Sequence, residues 1–174
     1  MSIGINAIER YLPEQRLGND ELVDRLNVKE SFIKEKLGIE TRPISPSEIA
    51  ASDLAVPAAE KIFAHGLKKE EVDLLLICTQ NADYKLPNTA SIVQYKLGLP
   101  NSLASLDINH GCSGFIYSLA VVKSMMSILG YQNALIITVD PYSKIIDKCD
   151  KNTVLLFGDA AAAIWMSRNS HNEI

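Results

Sequence analysis

One cysteine sits where a chain could do chemistry. The run Asp107-Ile-Asn-His-Gly-Cys-Ser-Gly-Phe-Ile-Tyr-Ser-Leu119 places Cys112 behind the apolar stretch Leu103–Ile108 and ahead of Phe115–Leu129, whose apolar residues recur on a helical period. The pattern reads as strand, break at Asn109-His110-Gly111, reactive side chain, helix. A helix N-terminus leaves unpaired N–H groups and the positive end of the macrodipole, which favour a thiolate over a thiol. The thiolate is the attacking form, so this placement suits a covalent nucleophile. A lone cysteine is also a small core hydrophobe, with Gly111 and Gly114 simply permitting close packing. From the residues alone both readings stand. His110 precedes Cys112 by two, a spacing that does not bring side chains face to face on a helix, so it is read as a pocket-edge or packing residue rather than a base.

The elements that must position Cys112 alternate. Ile3–Ile8 reads as a strand, followed by a turn at Tyr11-Leu-Pro-Glu-Gln. Asn19 is the expected N-cap of a helix, and a second short helix covers Lys29–Leu37 with Gly38 at its end. Ile39–Ile44 is extended, and Ser47–Ser52 leads into a helix that continues to His65, with Pro57 placed in its tolerated first turn. Val72–Thr79, apolar on both faces, is expected as a central strand covered by helices. Then come a polar loop at Asn81–Asn88, a helix at Thr89–Leu97, the Cys112 segment, and a strand at Ala134–Val139. A charged loop at Asp140–Asn152 precedes expected strands at Thr153–Phe157 and Ala160–Met166, and Ser167–Ile174 reads as a tail. This predicts an α/β layered domain, a mostly parallel mixed five-stranded sheet with helices on both faces.

Composition narrows the function. The 174 residues are 47% apolar and 22% charged with net charge −4, which fits one soluble globular domain and gives no support to nucleic-acid or anionic-membrane binding. No apolar run reaches membrane-span length and no secretory signal is visible, so a cytoplasmic protein is expected. Cys78, Cys112 and Cys149 are far apart, without zinc spacing, and are expected as free thiols in a reducing compartment. Cys78 reads as core, Cys149 as an incidental loop residue, and His65 and His171 as solvated. Asp107 is expected to accept backbone hydrogen bonds at its strand end, and Asp159 to form a turn. No Gly-x-Gly-x-x-Gly follows the first strand, which disfavours a dinucleotide-binding domain.

Several motifs in order resemble the β-ketoacyl-[acyl-carrier-protein] synthase III family of thiolase-like condensing enzymes. Asp107 to Tyr117 resembles its active-site turn, Ser31-Phe-Ile with Leu37-Gly-Ile-Glu-Thr-Arg42 its Glu-Trp-Ile and Thr-Gly-Ile-x-x-Arg stretch, Leu86-Pro-Asn its Phe-Pro turn, and Phe157-Gly-Asp-Ala-Ala-Ala-Ala163 its Phe-Gly-Asp-Gly-Ala-Gly-Ala signature. The resemblance implies that residues 1–174 form the N-terminal thiolase-like domain, one half of a two-domain fold whose C-terminal half is absent. It implies that Cys112 is acylated by an acyl-coenzyme A, and that decarboxylative condensation with a malonyl-acyl-carrier protein follows, without a cofactor. Phe32, Lys36 and Lys151 fall where the family contacts coenzyme A, in place of its Trp and Arg residues. Phe stacks with less surface, and Lys lacks the planar guanidinium fork. Leu86 matches a position that reaches into a dimer partner's acyl pocket, and reads equally as an ordinary loop residue. Of the family's Cys-His-Asn set the chain holds only Cys112. Acyl carrier protein, a homodimer partner and the missing half are the implied partners. The apolar face left by that half predicts self-association. The competing classes are a non-catalytic thiolase-like binding module, half of a split acyltransferase, and a cysteine hydrolase of another α/β family.

Overall fold

The structure, a computed structural model, describes residues 2–168 and 170. Five strands form the main sheet in the order β1-β7-β6-β4-β5: β1 (Ile3–Tyr11), β4 (Leu74–Cys78), β5 (Ala104–Ile108), β6 (Asn133–Pro141) and β7 (Asp159–Arg168). β4 runs parallel to both β5 and β6, while β7 lies antiparallel between β6 and β1. Four strands therefore point one way, as expected of a mostly parallel mixed sheet. A two-stranded ribbon, β2 (Arg16–Gly18) with β3 (Thr41–Pro43), stands apart.

Alternation along the strands builds two cores. Leu75, Ile77, Leu135, Ile137, Val139, Ala161 and Ala163 face α3 (Ala51–Phe63) and α4 (Thr89–Leu97). Their neighbours Leu74, Leu76, Cys78, Ile136, Ile164 and Met166 face α5 (Gly114–Leu129). All five residues of β4 are buried, which is why that strand is apolar at every position. Ala51, Ala55, Ala58 and Ala59 give α3 a flat face that packs close to the sheet. A third core joins α1 (Asn19–Leu26), the short helix α2 (Glu30–Phe32) with its following π-turn Ile33–Leu37, and α6 (Lys151–Val154), through Leu22, Leu26, Ile33, Val154 and Leu155.

Four expectations are corrected. Thr153–Phe157 is not a strand: Asp150 caps a helical turn there, accepting from Asn152 N at 3.0 Å and Thr153 Oγ1 at 2.8 Å. Val154 and Leu155 then turn into the third core together, which an alternating strand would not allow. Asn19 is not a cap, because Gly18 takes that position. The Asn19 side chain instead donates to Ile39 O at 2.9 Å and accepts from the buried Arg42 guanidinium at 2.6 Å. Pro57 lies inside α3 rather than in its first turn. Ser167 and Arg168 belong to β7, Arg168 being held by its own N–H to Gln132 O and by its Nε to Tyr131 O, each at 3.0 Å. His171 lies outside the described residues.

Candidate active site

The parallel strands β5, β4 and β6 end side by side, and each hands its next residues to one surface. Polar groups tie the three ends. Thr79 N donates to Ile108 O at 3.1 Å, and Asp140 Oδ1 accepts from Thr79 Oγ1 at 3.1 Å and Gln80 N at 2.8 Å. Asn81 Nδ2 reaches Pro141 O at 3.0 Å. Burial pushes the Asp140 carboxyl above the usual range, against the pull of these donors.

Cys112 is exposed on this surface. It sits two residues before the first residue of α5, in a turn closed by Gly114 N to Gly111 O at 2.7 Å, with Ser113 at the N-cap. Cys112 thus precedes the helix rather than opening it. Gly114 leaves no room for a side chain without a shift of its neighbour, and Gly111 is closely approached by the flexible end of Gln80. A Cβ on Gly114 would overlap Cys78 Sγ and lie 3.2 Å from His110 Cβ, and one on Gly111 would meet Gln80 Oε1 at 3.0 Å. Cys78, read as core, is the floor under the turn: buried, with its thiol directed at His110 O at 3.5 Å, and pushed up in pKa by burial. It is therefore the less reactive thiol of the pair.

His110 turns toward the helix. Its Nε2 lies 2.8 Å from Ser113 Oγ, and its ring meets Tyr117 edge-on with centroids 5.0 Å apart. That suits the packing role, since both ring contacts are with α5 and its cap. Asp107 behaves as read: its carboxylate accepts from Thr89 N at 2.7 Å and Ala90 N at 2.8 Å, closing the N-terminus of α4 from the strand that leads to Cys112.

Two residues of the site escaped the sequence reading. Gln80 follows β4, and Tyr142 follows β6. The Tyr142 hydroxyl donates to Gln80 Oε1, and its ring stacks on Phe157 with centroids 4.9 Å apart at 23°. Burial raises the phenol pKa first, and the nearby Asp140 and Cys112 raise it further, which places Tyr142 within electrostatic reach of the thiol. The available signal was a polar side chain within three residues of the end of each apolar run.

Asp159 is more than a turn former. Fully buried, it accepts from Ser45 N at 2.7 Å, Ser45 Oγ at 2.6 Å, Ser143 N at 2.8 Å and Ser143 Oγ at 2.7 Å. It therefore fixes the turn that carries Tyr142.

The remaining sequence-chosen residues lie elsewhere on the surface. Phe32, 47% exposed, and Lys36 sit on consecutive turns of one segment, and Lys151 starts α6. Ile33 and Val154 from these two segments share the third core, so the segments pack together while Phe32, Lys36 and Lys151 stay exposed on them. Leu86 is 86% exposed in the loop before α4, joined to Pro87 by a cis peptide. A cavity of about 540 Å³ opens beyond Phe157, between Leu17, Ile44, Lys144 and Ile146; Cys112 does not line it. Among the described residues no group of His, Cys, Asp and Glu could hold a metal, and no helix is long and apolar enough to cross a membrane.

Known proteins match this arrangement. The family described as 3-oxoacyl-[acyl-carrier-protein (ACP)] synthase III matches residues 106–174. The β-ketoacyl-[acyl-carrier-protein] synthase III of Neisseria meningitidis is 36% identical over 164 residues, covering 94% of this chain and 51% of that protein. A Halalkalibacterium halodurans relative of the same name is 36% identical over 170 residues, 97% of this chain and 54% of that one. A crystal structure of a 3-oxoacyl-(acyl-carrier-protein) synthase III superposes with TM-score 0.93 at 38% identity, over 100% of this chain and 52% of that chain. The Pseudomonas aeruginosa enzyme superposes with TM-score 0.90 at 32% identity, over 99% and 54%. The chain spans about half the length of the relatives it matches. By sequence and by fold, the chain is similar to 3-oxoacyl-[acyl-carrier-protein] synthase III proteins and fits their N-terminal half.

Proposed function

We propose that this chain is the nucleophile-bearing half of a 3-oxoacyl-[acyl-carrier-protein] synthase III. The observation that carries the reading is an exposed Cys112 in a glycine-flanked turn at the ends of three parallel strands, ahead of a 16-residue helix. Cys112 Sγ attacks the thioester carbonyl of an acyl-coenzyme A, and coenzyme A leaves as its thiol. The Cys112 N–H and the α5 terminus favour the oxyanion that develops. A malonyl-acyl-carrier protein then loses carbon dioxide, its carbanion forms the new carbon–carbon bond to the acyl carbon, and Cys112 Sγ departs. A thiol serves both steps, attacking and leaving at neutral pH. The His and Asn donors of the second step are supplied by a C-terminal half, and no cofactor takes part.

Phe32, Lys36 and Lys151 receive coenzyme A: an exposed aromatic face and two exposed cations on segments that share one core suit an adenine and phosphates. Two copies pair in the cytoplasm through β5, an edge strand whose five residues all stay partly open, with Leu86 reaching the partner. The test supplies acyl-coenzyme A, malonyl-acyl-carrier protein and the purified protein carrying its whole natural chain. A 3-oxoacyl product that disappears in Cys112→Ala supports the enzyme; partner binding with no product supports a binding module instead.

A further inference from the structure

The wall beside Cys112 is polar where a pocket for a plain alkyl chain would be aliphatic. The Gln80 carboxamide lies on the residue that precedes the nucleophile, since a Cβ on Gly111 would sit 3.0 Å from its Oε1 and 3.6 Å from its Nε2. Its Oε1 is already used by the Tyr142 hydroxyl. Tyr142 is itself fixed, by its stack on Phe157 and by the two bonds from Ser143 to Asp159. The carboxamide is therefore held with its oxygen turned to Tyr142. Among the described residues its NH2 group meets no acceptor, so two oriented donors remain beside the turn that carries Cys112.

We propose that the Gln80–Tyr142 pair forms a wall of the acyl site and selects acyl groups that carry an oxygen acceptor, a hydroxyl or oxo group, close to the thioester. This rests on the reading of Cys112 as the acylated residue. An alkyl chain laid against the NH2 group strips water from two donors and gives nothing back. A hydroxyacyl or oxoacyl group of the same length accepts from them. Gln80 remains open to solvent, so the discrimination is about tenfold, one good hydrogen bond, and far short of that of an enclosed polar pocket.

The experiment gives the purified protein, with its whole natural chain, equal concentrations of butyryl-coenzyme A and 3-hydroxybutyryl-coenzyme A. The two Cys112 adducts are compared by intact mass at early times. Because both come from one sample, their ratio does not depend on how much of a variant is folded. The wild type is expected to favour the hydroxybutyryl adduct about tenfold, Gln80→Leu to lose or reverse that preference, and Tyr142→Phe, which keeps the stack but frees the carboxamide, to weaken it. Equal loading in the wild type, or a preference that survives Gln80→Leu, overturns the proposal and leaves acylation of Cys112 standing. Loading by neither thioester overturns both.

Discussion

Replacing Asp159 by Asn tests the frame of the site with one atom. The carboxylate takes four hydrogen bonds, three on Oδ2 and one on Oδ1, from the backbone and hydroxyls of Ser45 and Ser143. Asn offers one acceptor oxygen. With it in the Oδ2 position, the new NH2 group faces Ser143 N–H, donor against donor. Turned over, it faces Ser45 N–H instead. The serine hydroxyls can rotate to accept, but one backbone N–H stays unpaired either way. That costs about 1–3 kcal/mol, and losing the ionic character of the remaining bonds adds about 1 kcal/mol. A total near 3 kcal/mol lowers Tm by about 6–12 °C in a chain of this length. Asp159→Ala, which leaves both backbone donors unpaired, costs more. The assay is urea and thermal unfolding by circular dichroism at pH 7, with Asp150→Asn, a half-buried helix cap, as the mild comparison. A Tm drop below about 2 °C for Asp159→Asn would refute the reasoning, since a buried acceptor of four bonds cannot be replaced that cheaply.

Other outcomes follow from the same geometry. Asp107→Ala removes the acceptor for Thr89 N and Ala90 N and should destabilise by about 1–2 kcal/mol in urea unfolding; an unchanged midpoint contradicts the cap. Asp140→Asn keeps an Oδ1 for both of its donors while removing a buried charge. The folded pKa is raised, so the folded wild type holds its proton longer than the unfolded chain and loses stability as pH climbs from about 4 toward that raised value. The Tm difference between variant and wild type should grow in the variant's favour across that window and level off above it; a constant difference contradicts the shift. Iodoacetamide at pH 8 should label exposed Cys112 and Cys149 well before Cys78, whose thiol is buried and raised in pKa; equal rates by peptide mass mapping contradict the floor assignment.

Much of this molecule is legible in its sequence where one local rule decides. Val72–Thr79 reads as a covered strand because both faces are apolar, and β4 is buried at every position. Asp107, set at a strand end, is a cap carboxylate as read, though only the fold reveals that it caps α4, 18 positions back. Local rules fail where distant partners decide. Thr153–Phe157 looks like a strand by β-branched and aromatic content, yet Asp150 and the third core make it the end of a helical turn and the turn that follows. Asn19 has the chemistry of an N-cap, but a buried Arg42 claims its oxygen. Gln80 and Tyr142 are 62 positions apart, and nothing in their neighbourhoods announces that one donates to the other beside Cys112. Cys112 itself is visible in the sequence because the strand, glycines and helix that position it are its immediate neighbours.

The measurement that meets the central claim most directly is intact-mass spectrometry of the protein after incubation with acetyl-coenzyme A, beside a Cys112→Ala variant. The account predicts one acetyl adduct on the wild type, mapped to the peptide containing Cys112 and absent from the variant. An adduct that persists in Cys112→Ala, or none on a wild-type protein that binds the donor, would contradict it.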